Sequence, residues 1–272
     1  MFFPKRHLAK KRILLTGASS GIGRALARQL AQNGARLLIT ARREERLKEL
    51  QTELQRLGAE CHYYAGDITD SKTRSHLIEQ MEQQFGGIDI LINNAGMGKI
   101  NAFEKTSSET LRQQMEVNFF AAVELIRQAL PYLKTGVQPI IVNISSVLGH
   151  CAVPFKSEYC ASKFALHGFT DALRAELSND SIEVILVSPS TTESEFFEKA
   201  ATEENQKPGN QMMMSPEIVA IKTISAIRKG KRELILSFGG KFLVLFDRLF
   251  PGTSNYILSK IFRAKQSPQT TK

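Results

Sequence analysis

The strongest constraint on the fold is an alternation between short apolar runs and longer segments with helical periodicity. Seven runs predict strands, namely RILLTG, ARLLITAR, CHYYAGDI, IDILINNAG, PIIVNISS, IEVILVSPS and RELILS. Helical patterns fall between them, near residues 22–33, 43–57, 70–85, 108–134, 158–178 and 215–229. This rhythm is typical of a parallel sheet with crossover helices. Because the strands are apolar on both faces, we expect helices on both sides of a doubly wound, seven-stranded, mostly parallel α/β sheet.

The size and charge of the chain limit its organisation. Its 272 residues, 42% of them hydrophobic, are enough for one large domain with a sizeable core. The net charge of +9 is concentrated at the ends, because residues 1–12 carry five bases and no acid and residues 241–272 carry six bases and one acid. A nucleic-acid binder more often has its basic stripe on the folded body, so we expect no nucleic-acid partner. We divide the chain into a single domain, residues 1–240, and a basic amphipathic extension, residues 241–272.

The cysteines and the hydropathy of the chain indicate the cellular compartment in which the protein is expected. Cys61, Cys151 and Cys160 form neither a CxxC motif nor a paired-ligand pattern. We therefore expect a reducing compartment and no metal site. No apolar run approaches the roughly 18 to 20 residues that span a bilayer. The amino terminus also lacks the order of charged and apolar residues of a signal peptide. These features predict a cytoplasmic protein, either soluble or peripheral to a membrane.

A glycine-rich turn, TGASSGIGR, follows the first predicted strand and opens the first predicted helix. Its glycines are at positions 17, 21 and 23. Glycine lets the backbone turn tightly and approach a pyrophosphate, while the free N–H groups and dipole at a helix start favour an anion. The pattern predicts a dinucleotide site, although a tight turn alone would also explain some of the glycine.

The end of the second strand distinguishes two nicotinamide cofactors. An acidic residue at that point accepts hydrogen bonds from the 2′-hydroxyl of NAD, whereas a basic residue pairs with the 2′-phosphate of NADP. The sequence ITARREER has Arg42 and Arg43 where NAD would require an acid. We therefore predict NADP(H). The alternative is that both arginines belong to the solvated start of a helix, since RREERLKEL also has opposite charges at helical spacing.

The stretch SEYCASKFALHGF places Tyr159 and Lys163 one turn apart on one face of a predicted helix. The fifth strand ends in NISS, with Ser146 thirteen residues before Tyr159. Ligands of open α/β sheets bind at the carboxyl ends of the strands. We therefore expect a phenol, an ammonium and a hydroxyl to converge beside the glycine turn.

Together these motifs resemble the short-chain dehydrogenase/reductase family in its compact single-domain branch, similar to hydroxysteroid dehydrogenases and other lipid-directed members. The similarity runs from about Arg12 to Ser237 and implies a Rossmann-type fold. It matches the family motifs in order: TGxxxGxG at 16–23, the adenine-side Asp67, NNAG at 93–96, the helix residue Asn118, Ser146, and YxxxK at 159–163.

The resemblance implies hydride transfer between nicotinamide C4 and a carbonyl or secondary alcohol. Tyr159 would be the acid/base, and it works well only if its pKa falls from about 10 by roughly 3 units, or about 4 kcal/mol, which Lys163 would promote. Lys163 would also hold the nicotinamide ribose, Ser146 would polarise the carbonyl, and Asn118 would hold a water in a proton relay. Ser145 remains the alternative serine.

The predicted cofactor contacts follow from the same resemblance. They are Gly17, Ser19, Ser20, Gly21, Ile22, Gly23, Arg42, Asp67, Ile68, Asn94, Ala95, Gly96, Tyr159, Lys163, Pro189 and Thr192. Two positions depart from the family pattern, because Pro189-Ser190 replaces Pro-Gly and Ser194 replaces a threonine. Contacts in that loop are accordingly less well defined by the sequence.

The substrate side is mostly apolar. It includes GHCAVPFKSE and the segment 191–214, which contains Phe196, Phe197 and three methionines at 212–214. This favours a hydrophobic carbonyl or alcohol of lipid, steroid, retinoid or acyl type. The segment is either a lid or a surface insertion that completes the core.

The extension continues for more than thirty residues past the last strand. It places apolar residues at helical spacing, and Pro251-Gly252 should divide it into two helices. The apolar residues are Phe242, Leu245, Phe246, Leu249, Phe250, Ile257, Leu258, Ile261 and Phe262. Such helices suit the plane of a membrane, or packing on the body or a second subunit.

The family resemblance also implies a homodimer or homotetramer. Two other functions are considered: a 3-oxoacyl-carrier-protein reductase, whose relatives usually stop soon after the seventh strand, and a non-catalytic dinucleotide-binding regulator or scaffold. Loss of the serine, tyrosine or lysine would signal the second, and none is lost here.

Overall fold

The computed structural model describes residues 6–192 and 213–264, and it contains one seven-stranded parallel sheet. The sheet order is β3-β2-β1-β4-β5-β6-β7. The strands are β1 Arg12–Thr16, β2 Arg36–Ala41, β3 Cys61–Ala65, β4 Ile90–Asn93, β5 Ile140–Ile144, β6 Glu183–Ser188 and β7 Glu233–Ile235. The predicted fold class is confirmed, and every strand pair is parallel.

The helices connect these strands on both faces of the sheet. In the described residues they are α1 Gly21–Gln32, α2 Glu44–Arg56, α3 Ser71–Phe85, α4 Ser108–Met115, α5 Ala121–Lys134, α6 Ser157–Glu176, α7 Pro216–Lys229, α8 Phe238–Leu249 and α9 Pro251–Ala264. Most lie within two residues of the bounds expected from periodicity. The segment 108–134 differs, because a π-helical turn, Glu116–Phe120, separates α4 from α5.

Strand β1 illustrates why apolar runs predicted a sheet covered on both sides. Ile13 and Leu15 belong to one buried cluster, shared with α1, α2 and α7. Leu14, between them, belongs to a second cluster, shared with α3, α5 and α6. Successive strand residues point to opposite faces, so a strand buried on both sides must be apolar at every position.

The strand order reverses at β1, and this reversal creates the ligand crevice. The chain moves from β1 outward to β2 and β3, then returns to place β4 on the other side of β1. The connections after β1 and β4 therefore leave in opposite directions. Open α/β sheets bind ligands at this point, outside the carboxyl ends of the strands.

The carboxyl end of the chain forms two helices, as the sequence predicted. Helix α8 begins at Phe238, three residues before the proposed extension, and Pro251 begins α9. Proline is favoured at the first helical position because its missing N–H would be unpaired there. In the described residues, none of the helices combines the length and apolarity needed to cross a membrane. The predicted segment 191–214 lies mostly outside the described residues.

The opposite, amino-terminal edge of the sheet is held by Asp89, which is 3% exposed. Its carboxylate accepts hydrogen bonds from Arg12 N, Nε and Nη2 at 2.9, 3.1 and 2.8 Å, and from Val137 N at 2.7 Å. Burial alone would raise the pKa of Asp89, but the hydrogen bonds from Arg12 and Val137 hold it below its usual value. One ionised side chain thus ties the starts of β1 and β4 to the loop before β5.

We expect Asp89→Asn to lower the free energy of unfolding by about 3 kcal/mol at pH 7, because it leaves the Arg12 charge unpaired at a buried site. The carboxylate's folded pKa is depressed, so its contribution is present above the unfolded pKa and is lost as pH falls through the folded value. The variant should therefore approach the wild type in strongly acidic urea titrations. Glu60→Gln, which breaks the exposed Arg36–Glu60 pair, is the control and should change stability little.

Candidate active site

The glycine turn occupies the crevice between β1 and α1. Gly17 and Gly21 have φ angles of 69° and 51°, in the left-handed region that favours glycine. A Cβ atom on Gly23 would lie 2.1 Å from the carbonyl oxygen of Gly17, so no side chain fits there. The turn therefore exposes backbone groups at the start of α1, and no side chain blocks access to them.

Asn94 fixes this turn from the neighbouring strand. Its Nδ2 donates to the carbonyl oxygens of Thr16 and Gly17 at 3.0 and 3.1 Å. In return, Thr16 Oγ1 accepts from the backbone N–H groups of Asn94 and Ala95, both at 3.0 Å. The amide side chain of Asn94 therefore positions the turn.

A cleft of about 820 Å³ runs from the glycine turn to α6. Its volume lies in the usual range for small-molecule and cofactor sites. Every residue predicted to contact the cofactor lines this cleft, including the loop residues Pro189 and Thr192. Of the predicted catalytic residues, Ser146, Tyr159 and Lys163 also line it.

The start of α1 suits an anion. Its N-cap residue, Ser20, makes no side-chain capping hydrogen bond, and the first turn contains no acidic residue. The hydroxyl of Ser20 instead accepts from Arg43 Nη2 at 2.7 Å, and Ser19 Oγ accepts from the same guanidinium at 3.0 Å. A pyrophosphate fits this combination of uncapped helix start, glycine backbone and adjacent positive charge.

The structure distinguishes the two arginines at the end of β2. Arg42, which the sequence named as the cofactor contact, is exposed at the cleft wall. Arg43 also lines the cleft and is the arginine that reaches Ser19 and Ser20. Sequence alone could not choose between them, because adjacent residues of an extended segment point in different directions and the turn they face is distant in sequence.

The adenine-side segment after β3 is shaped by Asp67. Its Oδ1 accepts from Thr69 N and Thr69 Oγ1 at 2.9 and 2.8 Å, which bends the chain. The buried guanidinium of Arg74 donates to the carbonyl oxygens of Ile68 and Thr69, both at 2.8 Å. Arg74 supports this wall of the cleft, and its role was not predicted.

Tyr159 and Lys163 lie on one side of α6 and face the end of β5. Lys163 is 4% exposed, its Nζ donates to the Ile144 carbonyl oxygen at 3.0 Å, and Nζ lies 5.8 Å from the centre of the Tyr159 ring. Ser146 shares a hydrogen bond with Tyr159. The alternative serine, Ser145, contacts the Lys163 backbone instead, at 3.5 Å.

Burial governs the protonation of this group. It raises the pKa of the Tyr159 phenol above its ordinary value, and the hydrogen bond with Ser146 opposes that rise. Burial also lowers the pKa of Lys163 to about 8. Desolvation is the larger of these two effects on the phenol, and the expected lowering of the Tyr159 pKa by Lys163 stays a prediction. Near neutral pH these pKa values give a neutral phenol beside an ammonium.

Asn118 lies in the π-helical turn behind the cleft and is 1% exposed. Its side chain donates to the Met97 carbonyl and to Ser162 Oγ at 2.8 and 2.9 Å, and accepts from Met97 N at 2.8 Å. It therefore ties α6 to the segment that follows Gly96. Turns of π-helix occur frequently at functional sites, but their hydrogen-bond shift leaves no pattern in the sequence.

Two polar residues that sequence analysis missed, Asn143 and Thr170, support the same region together with Asn93 of the NNAG motif. Asn93 Nδ2 donates to Asn143 Oδ1, and Asn143 Nδ2 donates to Thr170 Oγ1, both at 2.9 Å in the core. This chain joins β4, β5 and α6 beneath the site. Buried polar groups need such partners, so the network specifies how α6 sits on the sheet.

A histidine pair supports the loop after Ser146. His167 Nδ1 donates to the Gly149 carbonyl at 2.9 Å, and the His150 ring lies 4.2 Å from the His167 ring. Burial lowers the pKa of His150 to about 4, and its Nε2 pairs with Ser188 Oγ at 2.8 Å. With Glu233 these rings place three potential metal-ligand atoms within 4.8 Å, where the sequence predicted no metal site. The hydrogen bonds of His150 and His167 are sufficient to explain both residues as structural supports of the loop.

Helices α8 and α9 form part of the cleft, which the sequence did not predict. Leu243, Leu258, Ile261 and Phe262 line it, and the Phe262 ring lies 6.1 Å from that of Phe155. Periodicity identified these residues as helical and apolar. Their position depends on a long-range contact, which periodicity does not report.

Gly240 permits this close approach of α8. A Cβ atom at Gly240 would lie 2.8 Å from Val147 Cγ2, beside Ser146. Val147, Cys151 and Val244 then form a small buried cluster between α8 and the loop after Ser146.

Together, the fold and cleft define an α/β protein with a dinucleotide site and an adjacent tyrosine, lysine and serine. A family model described as short chain dehydrogenase matches residues 11–205. The chain therefore belongs to the short-chain dehydrogenase family, and it is an oxidoreductase of the class that binds NAD or NADP.

Three relatives illustrate the range of this similarity. Dehydrogenase/reductase SDR family member 7B of Bos taurus is 34% identical, covering 88% of this chain and 78% of the relative. Hydroxysteroid 11-beta-dehydrogenase 1-like protein A of Xenopus laevis is 34% identical, covering 93% and 87%. A 3-ketodihydrosphingosine reductase of Bacteroides thetaiotaomicron is 36% identical, covering 65% and 62%.

Two solved structures share the fold. An alcohol dehydrogenase of Thermococcus sibiricus, complexed with 5-hydroxy-NADP, has a TM-score of 0.75 and 25% identity, covering 84% of this chain and 96% of the other. A short chain dehydrogenase/reductase of Burkholderia phymatum in complex with NAD has a TM-score of 0.83 and 22% identity, covering 92% and 97%. The first contains an NADP derivative and the second contains NAD.

The burial of Lys163 predicts a pH-dependent effect on stability. Its pKa falls from 10.5 in the unfolded chain to about 8 in the folded chain. Between these two pH values the unfolded chain therefore binds more protons than the folded chain, and the free energy of unfolding of the wild type rises with pH. Lys163→Met lacks this gain. The wild-type unfolding free energy should therefore rise relative to the variant by about 1 to 3 kcal/mol between pH 8 and 10 in urea titrations.

Lys222→Met is the matched control, because the exposed Lys222 also donates to a backbone carbonyl, that of Leu236, at 3.2 Å. Its stability should follow that of the wild type over the same range. A constant difference between wild type and Lys163→Met would contradict the lowered pKa.

Proposed function

We propose that the protein is an NADP(H)-dependent oxidoreductase that reduces a hydrophobic ketone or aldehyde to an alcohol. The observation that carries this proposal is the convergence of Tyr159, Lys163 and Ser146 on the same cleft as the glycine turn. The cleft wall near these residues is largely apolar, with Val153 and Leu243 among its members. Polar chemistry at one point of an apolar wall suits a hydrophobic substrate held at a single carbonyl.

Reduced nicotinamide, when bound, supplies the hydride that adds to the carbonyl carbon. Negative charge then develops on the carbonyl oxygen. Ser146 donates a hydrogen bond to that oxygen, and the Tyr159 hydroxyl delivers the proton that completes the alcohol. The products are the alcohol and oxidised cofactor, and Tyr159 must recover a proton before the next cycle.

The neutral phenol is the form of Tyr159 that proton donation to a carbonyl requires. An acid catalyst must be protonated before reaction, and burial keeps the phenol neutral. Lys163, with a pKa of about 8, remains mainly an ammonium at neutral pH and stabilises the tyrosinate formed on proton transfer. We assign it also to the nicotinamide ribose. We assign Asn118 to a water-linked proton return, in which its side chain holds the Met97 backbone and α6 in position.

Tyr159→Phe should reduce the rate of NADPH-dependent carbonyl reduction by about 10² to 10⁴, because it removes the proton donor. NADPH binding, measured by fluorescence titration, should be nearly unchanged, since the ring is retained. Tyr63→Phe is the control, as Tyr63 lies on β3 and its hydroxyl pairs with Glu44 at 3.4 Å. Wild-type turnover in Tyr159→Phe would exclude this mechanism, and absence of turnover in the wild type would favour a regulator or scaffold.

We assign NADP(H) on the basis of the positive charge at the end of β2. Arg42 and Arg43 border the part of the cleft nearest Ser19 and Ser20, where the adenosine ribose meets the glycine turn in this fold. No acidic residue stands between Ala41 and Glu44 to accept a 2′-hydroxyl. The Thermococcus sibiricus structure was determined with an NADP derivative, which is consistent with this choice.

Arg43→Ala should weaken NADPH binding by about tenfold or more, since a charge-assisted hydrogen bond contributes about 1.5 to 3 kcal/mol. NADH binding should change little, because NADH lacks the 2′-phosphate. Arg42→Ala should act in the same direction. Lys48→Ala, which removes an exposed charge from α2, the helix that follows these arginines, is the control. A wild type that binds NADH more tightly than NADPH would contradict the assignment.

The substrate class is narrowed by the apolar wall and by two relatives. Their names refer to hydroxysteroids and to 3-ketodihydrosphingosine, both hydrophobic molecules with an oxidisable or reducible carbon. We propose a lipid-type carbonyl, of acyl-chain, steroid or retinoid kind. A 3-oxoacyl-carrier-protein reductase is the alternative, and the helices after β7 that line the cleft favour the lipid. Screening NADPH oxidation against aliphatic, steroid and carrier-protein-bound acyl ketones separates these classes.

We further propose that the protein is a cytoplasmic homodimer or homotetramer. Exposed apolar side chains on α4, the π-helical turn and α6 support this, with Leu111, Phe120 and Phe164 exposed by 37%, 46% and 42%. Helices α4 and α6 contact each other, so these exposed side chains belong to neighbouring elements. Light scattering after size exclusion gives the mass.

A further inference from the structure

The outer side of α8 carries an apolar stripe. Phe238, Phe242, Leu245 and Leu249 follow each other at spacings of four, three and four residues, and are 88%, 64%, 57% and 61% exposed. Such spacing places them on one side of the helix. The side that packs against the protein carries Gly240 and Val244, which are buried. A surface helix normally turns its apolar side inward, so an apolar stripe on the outer side indicates a contact surface.

The stripe continues past the end of α8. Phe250, Tyr256 and Ile257 are 55%, 60% and 42% exposed. Aromatic rings link part of it, since Phe246 lies 6.0 Å from Phe242 and 5.7 Å from Phe250. We define the outer face as the seven exposed residues Phe238, Phe242, Leu245, Leu249, Phe250, Tyr256 and Ile257.

Positive charges border the outer face. Lys241, Arg248 and Lys260 are exposed, and Lys260 Nζ lies 4.7 Å from the centre of the Tyr256 ring. Between residues 238 and 262 the only acidic residue is Asp247, which is half-buried. Apolar and aromatic side chains bordered by lysine and arginine suit an anionic lipid surface. Two copies joined through this face would bring like charges together, which disfavours a second copy as the occupant.

The same two helices line the cleft from their inner side. Leu243 of α8, and Leu258 and Phe262 of α9, face it. Ile261 lines the cleft and is still 46% exposed, so it lies at the rim. Only the thickness of a helix therefore separates the outer face from the cleft, which Tyr159 also lines.

We propose that the outer face docks on an anionic lipid bilayer and that α9 lies between the bilayer and the cleft, so that a lipid carbonyl enters from the membrane past Ile261. This proposal rests on the proposed function for its substrate. The docking itself depends only on the outer face and its charges. A bound bilayer would cover the outer face and leave the glycine turn in the aqueous phase, where NADPH is found.

The test is co-flotation of the full chain with vesicles of phosphatidylcholine containing phosphatidylglycerol, compared with phosphatidylcholine alone. The wild type should bind the anionic vesicles, and binding should weaken as salt is added. Phe242→Ser combined with Leu245→Ser should reduce binding by about tenfold or more, because two large apolar side chains are removed. Ile218→Ser with Ile221→Ser is the matched control on α7, where these residues are 45% and 53% exposed, and should bind as the wild type does.

Thermal unfolding of both double variants confirms that each remains folded, and light scattering gives the mass of each. No wild-type binding to anionic vesicles would overturn the proposal. If the Phe242/Leu245 variant formed a smaller oligomer than the wild type and also lost vesicle binding, the proposal would be overturned, because the outer face would then be a contact between copies. Equal binding by both double variants would place the lipid contact elsewhere.

Turnover separates docking from the proposed function. With a long-chain ketone held in vesicles, the Phe242/Leu245 variant should oxidise NADPH several-fold more slowly than the wild type, whereas a short water-soluble ketone should be reduced at the same rate by both. Vesicle binding without NADPH oxidation on any ketone would refute the proposed function alone. Reduction of the soluble ketone without vesicle binding would refute the docking alone.

Discussion

The crevice depends on the amide of Asn94, which ties the glycine turn after β1 to the end of β4. Its side chain donates hydrogen bonds to the carbonyls of Thr16 and Gly17. The hydroxyl of Thr16 accepts hydrogen bonds from the backbone N–H groups of Asn94 and Ala95. A tight turn whose backbone must remain open to a ligand has few side chains of its own to stabilise it. The stabilising contacts have to come from the next strand, at the point where the strand order reverses. Asn94 supplies them.

Burial changes the protonation equilibria of the side chains in the rest of the site relative to the same side chains in water. Tyr159 and Lys163 are held where water is scarce, so the neutral phenol is favoured and the ammonium is destabilised. The cost of burying Lys163 is offset in part by the Ile144 carbonyl. The chain of Asn93, Asn143 and Thr170 holds α6 on the sheet beneath these residues. Chemistry at the cleft therefore depends on polar contacts in the core.

Much of the fold was predictable from local pattern. Apolar strands and periodic helices gave the seven parallel strands, and the glycine, NNAG and YxxxK motifs each gave residues that line one cleft, among them Gly17, Asn94 and Tyr159. The π-helical turn at Asn118 was not predictable, because it arises from a shift of backbone hydrogen bonds within a continuous helical pattern. Arg43 was less emphasised than Arg42 for a similar reason, since only the folded chain brings Ser19 and Ser20 to its guanidinium.

The sequence by itself determined the class of fold, the family resemblance and the choice of the side chains proposed to react, because each of these follows from residue types at short spacing. Tertiary structure alone decided where the C-terminal helices lie. Their apolar stripe has the same periodicity whether it faces a core, a second copy or a bilayer. The close approach at Gly240 places one side of these helices in the cleft and leaves the other exposed. That contact joins residues almost a hundred positions apart, Val147 and Gly240, which no local pattern can specify.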